Sequence, residues 1–105
     1  MRLTEGIGSR AMGPEAEKLS EITDSVLFGD VWLRPELSLR DRSVVTVSAL
    51  IAMYRKDELE FHFKLAIENG VSRRELIEII THLAFYSGWP TAHSALKILQ
   101  SLSES

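Results

Sequence analysis

The chain has no cysteine among its 105 residues. That excludes disulfides, thiolate metal ligands, a dithiol redox pair and a thiol nucleophile. It is in keeping with a reducing cytoplasm, which is the expected location. Proline is scarce, and Pro14, Pro35 and Pro90 all fall where a helix would open or a connector would run. No apolar stretch approaches the roughly 20 residues of a membrane span. The first residues lack the apolar centre of a signal peptide, so no membrane partner is expected. Basic residues are not in excess: the net charge is −3, with both signs spread along the chain. Binding to nucleic acid is therefore not expected, since it calls for a basic patch.

What the chain does have is helical punctuation. A length of 105 residues fits one domain with a small core. Residues 1–13 hold Gly6, Gly8 and Gly13 with few apolar side chains, and they read as a mobile arm before a domain at 14–105. Pro14 suits a first helical position; Leu19, Ile22, Val26 and Leu27 continue a helical stripe that Gly29 stops. Residues 30–37 form a connector. Ser38 is an N-cap with Asp41 three residues on, and Val44 to Met53 is apolar or small almost throughout, which predicts a central helix buried all round. Asp57 with Glu60 and Ser72 with Glu75 are two more capping signatures, separated by the stop Asn69-Gly70. They predict helices over 57–69 and 72–87. Pro90 opens a last helix with Ala92, Ala95, Leu96, Leu99 and Leu102 inside. The class is all-α, with about five to six helices and short loops.

Candidate chemistry concentrates in the second half. Glu78, His82 and Tyr86 follow one another at a spacing of four, which keeps them on one stripe of a helix. His62 stands on the preceding helix beside Leu59, Phe63 and Ala66. The short Asn69-Gly70-Val71 turn makes the two helices antiparallel, so both histidines would line one groove. Each group also has a plainer reading: a half-buried histidine, a surface Glu–His pair, aromatics closing an interface. Two histidines and one carboxylate lack the ordered spacing of a zinc helix, so no metal is assigned. Ser43, Ser48 and Ser87 sit in no nucleophile elbow. Arg34 and Arg42 are suited to hold a carboxylate, or else to pair with Asp30, Glu36 or Asp41. Val71 to Leu76 resembles the start of a DNA-reading helix, a reading the acidic balance opposes.

The run Phe28 to Pro35 forms an opening motif. Arg42-Ser43, Glu58-Leu59, His62, Ala66, Asn69 to Ser72, Glu75 and Glu78 form a middle, and Tyr86, Gly88 and Pro90 a close. Together they resemble the carboxymuconolactone decarboxylase family, whose fold is shared with the alkylhydroperoxidase D proteins. The resemblance spans about residues 26–102. It implies an all-helical subunit of a trimer or hexamer, with pockets near subunit contacts. In the peroxidase branch a Cys-x-x-Cys pair precedes a histidine. Placing that histidine at His62 puts the cysteines at Arg55 and Glu58 and an upstream glutamate at Ser43, so thiol peroxidase chemistry is excluded. What remains implied is cofactor-independent decarboxylation of a small organic acid or lactone. His62 and His82 would supply the proton and a donor, Glu78 would tune His82, and Tyr86 would donate to the oxyanion. Arg34 or Arg42 would hold a carboxylate, with Trp32 and Trp89 on the pocket wall. His82 and Trp89 depart from the decarboxylase pattern, which usually has an uncharged polar residue and a smaller apolar one there. The alternative is a non-enzymatic binding or assembly protein on the same scaffold.

Overall fold

A computed structural model describes residues 1–102, so the last three residues of the expected 14–105 domain lie outside it. Six helices follow in order: α1 (Ile7–Met12), α2 (Glu17–Ile22), α3 (Leu39–Ala52), α4 (Lys56–Glu68), α5 (Arg73–Leu83) and α6 (Trp89–Ser101). Among the described residues there is no strand. The last four helices form the main bundle. Its core is Val47 and Ile51 of α3, Leu59, Phe63 and Ala66 of α4, Leu76 and Ile80 of α5, and Ala95 and Leu99 of α6. These positions recur every three or four residues, which is why each helix turns one face inward.

The caps work much as their sequences predict. Ser38 Oγ accepts the Asp41 N–H at 3.0 Å. At α5 the exchange is reciprocal: Ser72 Oγ accepts from Glu75 N–H, and Glu75 Oε1 accepts from Ser72 N–H. That backbone hydrogen bond holds the Glu75 carboxyl below the usual carboxylate range. Changing Ser72 to Ala should cost about 1 kcal/mol of stability, measured by urea unfolding. Asp57 is not a cap. Helix α4 starts one residue earlier, after Arg55, and Asp57 lies in the first turn, where its charge favours the helix dipole. Gly70 ends α4 with a φ of 99°, a conformation that suits glycine. Tyr54 fills the equivalent position after α3 with a φ of 60°, its ring under the Lys56 ammonium at 5.0 Å.

Two further expectations need correction. Helix α5 stops at Leu83 rather than 87, because Phe85 and Tyr86 bond back three residues, to His82 and Leu83, and Gly88 then reverses the chain. Helix α3 is buried only along Ser43, Val47 and Ile51; Val45 and Met53 are 58% and 62% exposed. Apolar residues all round a helix announce burial, but the other helices of one subunit cover only one side. Residues 1–13 contain a short turn and α1. Leu3 N–H donates to the Glu68 carboxylate and Gly8 N–H to Asp24, while Met1, Leu3 and Ile7 pack on Phe28, Trp32 and Leu65. Those apolar residues are too sparse to leave a period in the sequence. No described helix is long and apolar enough to cross a membrane.

Candidate functional site

The connector before α3 carries Trp32 into the interior. Its ring leans on Phe28 at 5.6 Å and stacks on the His62 imidazole at 6.3 Å and 25°. Phe61 meets His62 edge-on at 5.1 Å. Burial among these rings pushes the His62 imidazole below its ordinary pKa of 6.5, and the Glu58 carboxylate one turn earlier pulls it up against that. Trp32 also walls a recess of about 150 Å³ with Arg42, Val45 and Thr46. Arg42 is steered there by its Nη2, which donates to the Arg34 carbonyl at 3.1 Å.

Three buried polar atoms in this region find no partner among the described residues: Arg42 Nε, Glu58 Oε2 and His62 Nδ1. Buried donors and acceptors are nearly always paired, so unpaired ones mark places where a ligand can bond. The row reads cation, flat ring, imidazole, carboxylate. It offers a fixed donor, a proton carrier and an acceptor.

Glu78 and His82 meet elsewhere. They rim an open cleft of about 430 Å³ with Arg40 and Glu75 over a floor of Val44, Ile79 and Leu83. Arg40 pairs with Glu75 across the cleft edge. Tyr86 stacks on His82 at 4.8 Å but is 77% exposed. The expected single groove for both histidines is therefore not formed. Arg40, Val44 and Ser48 share one stripe of α3, whereas Arg42, two positions on from Arg40, points about 200° round the helix. The two histidines thus serve different faces of α3. Trp89 lines neither space: it is exposed, edge-on to Phe85. The Arg34 guanidinium reaches Glu36 at 3.6 Å on the surface, and only its carbonyl serves the recess. Among the described residues no three histidine, aspartate or glutamate side chains converge as metal ligands do.

Sequence reasoning passed over Glu58 as the site of a missing cysteine. Its signal was visible: Glu58 stands four residues before His62, the same spacing as Glu78 and His82.

A model of the carboxymuconolactone decarboxylase family matches residues 17–101, which include every residue of both candidate sites. The chain belongs to the carboxymuconolactone decarboxylase family. Within that family it is 32% identical over 106 residues to a 4-carboxymuconolactone decarboxylase of Acinetobacter baylyi, covering 94% of this chain and 79% of the relative. It is 35% identical over 80 residues to a nitrosuccinic acid decarboxylase of Metarhizium robertsii, covering 76% of this chain and 56% of that protein. The chain thus spans little more than half the length of the second relative.

Proposed function

We propose that this protein decarboxylates a small organic acid or lactone without a cofactor, at the recess beside Trp32. The observation that carries the reading is the row of unpaired buried atoms on Arg42, His62 and Glu58, in a family with two relatives named for decarboxylation. The Arg42 guanidinium holds a substrate carboxylate through its free Nε–H. The carbon–carbon bond to the departing carboxylate breaks, carbon dioxide leaves, and the electron pair passes into a conjugated carbonyl or nitro group. The resulting anion is quenched by a proton that His62 delivers to carbon. Trp32 keeps water from the imidazole and presents a flat wall to a flat substrate.

Purified protein dialysed against a chelator should release carbon dioxide from 4-carboxymuconolactone or from nitrosuccinate. No release above background from either compound would sink the decarboxylase reading and favour a non-catalytic binding or assembly protein. One observation favours that second reading: the cleft holding Glu78 and His82 is the roomier of the two candidate spaces. Changing His82 to Ala tells the two sites apart, since turnover should survive it.

We also infer self-association in a trimer or hexamer. Val45, Met53, Phe85 and Trp89 are each more than half exposed on the subunit, with Phe85 and Trp89 edge to face, and such exposed apolar surface favours an interface. Light scattering at micromolar concentration should give a multiple of three subunits; a stable 11.8 kDa monomer contradicts it. The assembled protein is expected in the cytoplasm.

A further inference from the structure

We propose that Glu58 is the positioning residue for His62: the carboxylate oxygen that Arg55 leaves free accepts from Nδ1–H and holds the imidazole aimed at the substrate. The inference rests on the decarboxylation reading for its purpose, but not for its geometry. Glu58 and His62 stand at i and i+4 on α4, where side chains are neighbours. The two carboxylate oxygens of Glu58 are not equivalent. Oε1 is clamped by Arg55 Nη2 at 2.6 Å, whereas Oε2 is buried without a partner among the described residues. His62 Nδ1 is buried and unpartnered in the same way. One atom is an acceptor and the other carries a proton whenever the ring is charged. A small rotation, or a polar group of the substrate lying between them, satisfies both.

The pairing answers a chemical difficulty. Delivering a proton to carbon requires a charged imidazole, and a pocket of Trp32 and Phe61 opposes that charge. Glu58 is the group that counters the burial. The remaining charged groups about the pair are Arg55, which draws part of the carboxylate's charge to itself, Asp57 beside it at the start of α4, and Arg42 from α3. From the connector, the Trp32 ring faces the pair. Arg55 thus sets how much of the carboxylate's charge His62 feels.

The test is a titration of the His62 imidazole by nuclear magnetic resonance in the intact protein, with no substrate present. Glu58→Gln should lower its midpoint, because the counter-charge is gone. Arg55→Gln should raise it, because the carboxylate is then fully available; Arg55 is exposed, so this variant keeps the measurement possible if the glutamine at 58 disturbs folding. Shifts of opposite sign support the proposal. An unchanged midpoint in the folded variants, or shifts of the same sign, overturns it. In turnover, the descending limb of the pH–rate profile should move to lower pH in Glu58→Gln and to higher pH in Arg55→Gln. If the midpoints move as stated while the parent protein releases no carbon dioxide, the pairing stands and the decarboxylase reading falls.

Discussion

On the proposed reading, replacing His62 by glutamine should lower turnover by about 10²–10⁴-fold, the usual worth of a positioned proton donor. Glutamine fills similar space and can hydrogen-bond, but it cannot release a proton near neutrality. The effect should fall on kcat, because Arg42, the proposed holder of the substrate carboxylate, is left in place. His82→Ala serves as the contrast, since that residue lines a different cleft on the far stripe of α3. Equal losses from the two substitutions would mean that both faces take part in the reaction. The same change alters acid sensitivity. Burial lowers the His62 pKa in the folded chain below its ordinary 6.5. Folding therefore favours the neutral ring, so its stabilising contribution is present above that value and declines as the pH falls through it toward the folded-state pKa. Thermal melts should show the parent losing more stability than His62→Gln on acidification across that window.

Truncating Phe63 to alanine costs about 3–5 kcal/mol. Its side chain is fully buried on α4, within the cluster that α3, α5 and α6 close over. Removing the ring leaves a cavity that rigid helices fill only in part. That is a large share of the roughly 5–15 kcal/mol that holds an ordinary domain together. Urea unfolding at fixed protein concentration measures it. Phe85→Ala is the control, because that ring is 78% exposed on the subunit. It should leave unfolding of the subunit nearly unchanged and weaken the proposed self-association. A Phe63→Ala protein within about 0.5 kcal/mol of the parent, as surface changes usually are, would remove Phe63 from the core.

The two substitutions separate what local pattern determines from what packing decides. The helical class, the caps at Ser38 and Ser72, the stop at Gly70 and the inward faces of α4 and α6 all follow from contacts within a few residues, so the sequence alone determined them. Helix position marked His62 and Arg42 as candidates, and the family resemblance added Trp32. Neither could say which of them meet. Periodicity places Glu78, His82 and Tyr86 on one stripe, but whether that stripe shares a pocket with His62 depends on how α3 lies between them. The 200° separation of Arg40 and Arg42 on α3 splits the expected groove in two. Likewise Arg34 and Arg42 are alike as sequence. Only the fold sends the Arg34 guanidinium to Glu36 on the surface while its carbonyl turns Arg42 toward Trp32. Glu58 was passed over although its spacing was visible; what singles it out is a buried oxygen without a partner among the described residues, and burial is a property of the packed chain. Local sequence writes short-range hydrogen bonds and helical faces. Long-range packing determines which faces touch, which polar atoms lose water, and therefore where chemistry becomes possible.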